Sequence, residues 1–164
     1  MRSRPPLLAT GVAVTLASFA TAGCGDRQID VKKASQNIDH AVATEFGARV
    51  RSVSCPAKVP VKAKTSFRCV VTGTDGSTGD AVVTQSDGKG NMTVRVPFLH
   101  PRQAEQAIQS ELSKGTPGTT VSCQEIIVVR KGAPFACKAT LAGVSTPVSA
   151  TQTNADGKFT YRVG

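Results

Sequence analysis

The chain has 164 residues and a formal charge of +9 at neutral pH, from 20 Lys and Arg against 11 Asp and Glu. That length holds one domain or two small ones. Trp is absent and aromatic residues make up 4% of the chain, which argues against base-stacking platforms for nucleic acid and against aromatic ledges for sugars.

The chain opens with Arg2 and Arg4, then the uncharged apolar run Leu7 to Ala20, then Thr21-Ala22-Gly23-Cys24. This is the anatomy of an export signal. The run is too short to span a bilayer, and no later segment is apolar enough to try. The "TAGC" stretch resembles the lipobox of bacterial lipoproteins, in which the Cys is diacylated on sulfur and becomes the first residue of the mature chain. Ala22, Gly23 and Cys24 fit that pattern, and Thr21 stands where Leu is usual. An ordinary signal peptide and a buried helix are the alternatives. Losing Arg2 and Arg4 with the signal lowers the charge by two, to +7. Outside the cytoplasm, such a surface suits phospholipid headgroups or acidic polymers, with a plain solvated surface as the simpler alternative.

The rest is a duplication. Cys55–Cys69 and Cys123–Cys137 each enclose thirteen residues, with Phe67 and Phe135 two places before the second Cys. "TQ", "DGK" and a closing Thr-x-Arg-Val follow in both copies. The offset is 68 at the cysteines, 67 at Thr84/Thr151, 69 at Asp87/Asp156 and 67 at Arg95/Arg162. Drift of this size at Gly-rich turns is what loop insertions in a repeat produce. A helix precedes each copy: Ile38, Val42 and Phe46 form one stripe, ended by Gly47. Ala104, Ile108 and Leu112 form the other, begun by Pro101 and ended by Gly115.

Strands follow, with period-two alternation and one apolar face. Phe67, Cys69 and Val71 point inward in the first copy, and Phe135, Cys137, Ala139 and Leu141 in the second. The closing strands put Met92, Val94 and Val96, and Phe159, Tyr161 and Val163, on the same inner phase. "SDGKGN" and "NADGKF" are hairpin turns. The expected fold class is α+β: two tandem repeats, each one helix packed on a roughly four-stranded antiparallel sheet with one internal disulfide. The expected organisation is a signal peptide over 1–23, a tether over 24–33, one repeat over 34–97 and a second over 98–164. The short linker "PFLHP" keeps the repeats close. Phe98 and Leu99 either plug the seam between them, the preferred reading, or form an exposed binding patch.

Four cysteines remain beside Cys24. Zinc sites and redox pairs call for short C-x2-C spacing, which neither copy has. An exported setting favours disulfides. Of three pairings, duplication selects Cys55–Cys69 and Cys123–Cys137, since each unit must close its own bond. Closing such a loop contributes about 3 kcal/mol by the chain-entropy model.

The paired units resemble the actinobacterial, mycobacterial-type lipoprotein family built on tandem domains of unknown function. Its unit is Cys-Pro-x12-Cys with an aromatic two places before the second Cys and a closing "DG" hairpin. Cys55-Pro56, Phe67 and Cys69 match; the second copy has Gln124 in place of Pro. The resemblance runs from about Ala34 to Gly164. It implies an exported, lipid-anchored envelope protein and no activity.

No catalytic, cofactor-binding or metal-ligating residue is expected. There is no G-x-S-x-G elbow and no S-x-x-K set. His40 and Asp39 are sequence neighbours that point to different helix faces, and His100 belongs to the linker. "DGKGN" has Lys89 where a calcium loop needs a ligand. Lys58, Lys62, Lys64 and Arg68 alternate with Val59, Val61, Ala63 and Phe67, so the bases lie outward if the segment is extended. Lysines guarding a sheet edge are the simpler reading of them. The expected function is therefore that of a non-enzymatic envelope lipoprotein. It would contact the membrane through Cys24, and an envelope protein or acidic polymer, but not nucleic acid. The alternatives are an enzyme inhibitor, by analogy with tandem helix-sheet β-lactamase inhibitory proteins, and a lipid or small-molecule carrier.

Overall fold

The computed structural model describes residues 27–164; the apolar leader and Cys24 lie outside them. Helix α1 (Val31–Glu45) leads into strands β1 (Val50–Ser54), β2 (Ser66–Gly73), β3 (Thr78–Gln85) and β4 (Met92–Arg95). After the two-residue strand β5 (Phe98–Leu99) come helix α2 (Pro101–Gly115) and strand β6 (Thr120–Cys123). The short β7 (Ile127–Val128), then β8 (Pro134–Leu141), β9 (Val144–Gln152) and β10 (Phe159–Val163) complete the chain. Two four-stranded antiparallel sheets result, ordered β1-β2-β3-β4 and β6-β8-β9-β10. The expected fold class is the one observed.

Each helix buries its stripe on its own sheet. Ala34, Ile38 and Val42 recur every four residues and are fully covered, and Ile38 and Val42 pack with Cys69, Val71, Ala81 and Val83. Ala104 and Ile108 do the same on Cys137, Ala139, Val148 and Ala150. Burying one such Ile contributes about 1.5–3 kcal/mol, so these stripes fix the helices more firmly than helix propensity does. The starts differ. Asp30 caps α1 by accepting the Lys33 N–H at 3.0 Å, whereas His100 makes no side-chain cap and α2 relies on Pro101.

Helix α1 begins inside the segment assigned to the tether, and the chain joins the fold earlier still. Gln28 bridges Pro60, the Ile29 N–H donates to the Val59 carbonyl at 2.8 Å, and the Val61 N–H donates to the Arg27 carbonyl at 2.7 Å. This is the counterpart of β5 pairing with β7, where Phe98 faces Val128 and Leu99 faces Ile127. In both repeats a short strand before the helix clamps the loop between the cysteines.

Three details of the sequence pattern change. The "DGK" letters are not structural counterparts. Asp87 accepts from the Lys89 and Asn91 N–H groups, and the residue doing this work in the second repeat is Asn154, accepting from Asp156 and Lys158. The left-handed glycines are Gly90 and Gly157. The offset is therefore 67 from Thr84 onward, and the slip from 68 occurs in the turn before β3. There, five residues join Thr72 to its partner Thr78, against four between Thr140 and Ser145. Second, Leu141 and Val163 are 37% and 48% exposed rather than inward; both lie at the rim of the sheet, in a shallow cleft beside Leu112 and Thr116 at the end of α2. Third, Ala63 is exposed. Lys64 turns left-handed at φ 60° and breaks the assumed extended alternation.

Candidate functional site

The geometry of the molecule is concentrated at the two cysteine loops. Cys55 and Cys69 are bonded (S–S 2.06 Å), as are Cys123 and Cys137 (1.97 Å). Cys123 lies directly opposite Cys137 in the β6–β8 ladder, and Cys55 continues the β1–β2 ladder one step beyond Ser54 and Val70. Each bond staples the edge strand to the centre of its own sheet and closes the loop between them. The pairing is within each repeat, as the duplication requires.

A buried glutamine holds each loop down. Gln85, 1% exposed, accepts from the Lys62 N–H at 2.8 Å and donates through Nε2 to the Pro60 carbonyl at 3.0 Å and to Thr65 Oγ1 at 3.1 Å. Gln152, 2% exposed, accepts from the Arg130 N–H at 3.1 Å and donates to the Val128 carbonyl at 2.6 Å. Buried amides persist only where their polar atoms find partners. Here the partners are the loop's own backbone. Sequence reasoning used "TQ" as a marker of the repeat and missed this role. The signal was present: Gln85 follows Ala81 and Val83, and Gln152 follows Val148 and Ala150, on the inward phase of their strands.

The loops have different fates. The second one enters the seam between the repeats. Phe98, Ile126 and Val128 pack into the core of the first repeat, and Phe98 meets Phe46 edge-on with ring centroids 6.1 Å apart. Leu99 packs on the core of the second. The linker thus contributes one apolar residue to each side, which is the plug rather than the exposed patch. Two glycines make room. A Cβ on Gly79 would sit 2.6 Å from Phe98 Cε1, and one on Gly73 would sit 2.8 Å from Glu125 Cβ.

A polar rim surrounds this plug. Arg49 forms an ion pair with Glu125 (Nη2 to Oε1, 2.6 Å), and its backbone N–H donates to Oε2 at 2.9 Å. Asp75 Oδ2 accepts the Glu125 N–H at 2.9 Å, and Ser77 Oγ accepts the Ile126 N–H at 2.9 Å. Partial burial works to raise the Asp75 pKa. Hydrogen bonds from the Ser77 hydroxyl and from the Glu125 and Ser77 N–H groups outweigh it and hold the carboxylate below its ordinary value. Asp75 and Ser77 lie in the turn that is one residue longer in the first repeat. The insertion therefore builds the receiving edge of the seam.

The first loop faces solvent at the far end of the molecule. Lys58, Lys62 and Lys64 are exposed there, while Arg68 is diverted to Asp80 at 3.4 Å on the sheet. Among the described residues, no cluster of three His, Cys, Asp or Glu side chains could hold a metal ion, and no helix is long and apolar enough to cross a membrane. His40 is exposed on α1, and His100 buries Nδ1 without a partner beside Gly47. Asp87 lies in the β3–β4 turn. The Lys89 N–H and then the Asn91 side chain hold its pKa low, so its oxygens are engaged with the turn itself.

Fold and staples together define a tandem of disulfide-closed α+β modules docked end to end. The chain belongs to the family described as a domain of unknown function (DUF4333), whose model matches it twice, at residues 12–90 and 93–157. No curated protein and no solved structure matches the chain.

Proposed function

We propose that the protein is a non-enzymatic, lipid-anchored component of a cell envelope, held at the outer face of the membrane by Cys24 and serving as a binding or accessory module. The observation that carries this reading is the use of the cysteines. Four are consumed in two structural disulfides, bonds that belong to an oxidising compartment. The fifth, Cys24, stands directly after the apolar run, behind Thr-Ala-Gly. The likeness to actinobacterial lipoproteins supports the same reading. Two or more acyl chains anchor a protein stably, whereas one does so only marginally. The partner is an envelope protein or an acidic envelope polymer.

The test is mass spectrometry of the N-terminal peptide from membrane-extracted protein. A diacylated Cys24 is expected, with the protein released to the soluble fraction by Cys24→Ala. An unmodified mature chain, recovered free of membranes, would overturn the anchor.

A further inference from the structure

The two repeats dock end to end, and this gives the free end of the first repeat a defined character. In the second repeat, the cysteine loop presents Ile126 to its neighbour's core. Its counterpart in the first repeat, at an offset of 68, is Lys58. At this position the loop is apolar where it meets protein and basic where it does not, whereas Lys62 is matched by another base, Arg130. Arg27, Lys33 and Lys89 line one cleft at this end, of about 450 Å³. Lys58 and Lys62 line the adjoining groove over Gln85, and the Lys64 N–H bonds to the Gln85 carbonyl. All six side chains are exposed, and none is in an ion pair among the described residues.

Three acids offset part of this charge. Asp30 caps α1 and Asp87 is held by its own turn; Asp26 precedes in the tether. Elsewhere in the first repeat, Lys32, Arg49, Arg51, Arg68 and Arg95 stand against Asp39, Glu45, Asp75 and Asp80, a surplus of one. This end therefore carries six Lys and Arg against three Asp, a surplus of three that equals that of the whole second repeat, with seven against four, and the chain leaves the fold from this end. Arg27 is three residues from Cys24, a reach of about 10 Å when extended and comparable to a Debye length at physiological salt.

We propose that this end of the first repeat is a docking face for anionic lipid headgroups, which seats the module on the bilayer beside its anchor. Its position at the membrane rests on the reading of Cys24 as acylated; the chemistry of the face does not. The test is amine footprinting of the mature protein on vesicles of phosphatidylcholine alone and of phosphatidylcholine mixed with phosphatidylglycerol. Lys33, Lys58, Lys62, Lys64 and Lys89 should lose reactivity several-fold on the anionic vesicles only, while Lys114, Lys131 and Lys158 keep theirs. High salt should restore the lost reactivity. The triple variant Lys58→Glu, Lys62→Glu, Lys89→Glu, checked for intact disulfides, should bind those vesicles at least a hundredfold more weakly, at about five-fold for each charge removed.

Equal footprints on the two vesicle types, or unchanged binding of the folded variant, would overturn the proposal. So would protection by soluble polyphosphate without protection by vesicles, which would make an acidic polymer the ligand. The mass of the N-terminal peptide in the same samples reads the anchor separately. An unmodified Cys24 with the charge-dependent footprint removes the anchor and keeps the docking face. An acylated Cys24 without that footprint does the reverse.

Discussion

Replacing Gln85 by Met isolates the latch from the packing around it. Met has nearly the length and flexibility of Gln, so Gln85→Met leaves the core filled. It removes three hydrogen bonds, those with the Lys62 N–H, the Pro60 carbonyl and Thr65 Oγ1. The Thr65 hydroxyl keeps its bond to the Lys62 carbonyl at 2.7 Å. That leaves one N–H and one carbonyl without partners under a half-covered loop. A fully buried orphan costs about 1–3 kcal/mol; these two can partly rehydrate, so about 1 kcal/mol each is expected. The loss of about 2 kcal/mol is a large part of what a module this small can hold, at about 0.1 kcal/mol per residue. Gln152→Met should cost a similar amount through the Arg130 N–H and the Val128 carbonyl, and the two should add, since they sit in separate modules. Urea unfolding of the oxidised protein measures the sum. Amide exchange at Lys62 and Arg130 should accelerate well before global unfolding. A double variant within 0.5 kcal/mol of the parent, with both amides still protected, would refute the latch.

Four further outcomes are expected. Lys64 occupies a left-handed position that Gly132 fills in the second repeat, so Lys64→Gly should stabilise by about 0.5–1 kcal/mol in thermal unfolding, with relief of backbone strain outweighing the entropy of Gly. Gly79→Ala places a Cβ against Phe98, Val128 and Ile126; overpacking of this kind costs about 1–3 kcal/mol, and faster proteolysis in "PFLHP" should report the opened seam. Removing one staple by Cys55→Ala with Cys69→Ala should cost about 3 kcal/mol, seen as a lower urea midpoint for the first repeat. Asp75 has a depressed pKa in the folded protein, so its contribution is complete above its ordinary value near 4 and is lost as pH falls through the depressed one. Asp75→Asn should flatten that part of the acid unfolding curve, and a curve identical to the parent's would remove Asp75 from the seam.

Local rules were enough for much of this molecule. The helix stripes of Ile38 and Val42, and of Ala104 and Ile108, the inward phase of Cys69 and Val71, and the pairing of the cysteines are legible in the sequence. Each depends on periodicity or on the logic of a duplicated unit. The equivalence of the two "DGK" words failed because a turn is defined by which side chain accepts backbone N–H groups and which residue turns left-handed. Asp87 with Gly90, and Asn154 with Gly157, meet that definition without sharing letters in register.

The linker's plug, Phe98 and Leu99, is legible in the sequence, but what receives it belongs to tertiary structure. Gly73 and Gly79 look like ordinary turn and strand glycines until Glu125 and Phe98 arrive from far along the chain. The bond between Arg49 and Glu125 spans 76 positions, beyond the reach of any periodicity. The charged end of the first repeat is divided in the same way. Sequence composition determined that the protein is basic, but only folding gathered Arg27, Lys33, Lys58, Lys62, Lys64 and Lys89 at the point where the chain leaves for Cys24. Pairing Gln28 with Pro60 put them there, because it brings the start of the module alongside its cysteine loop.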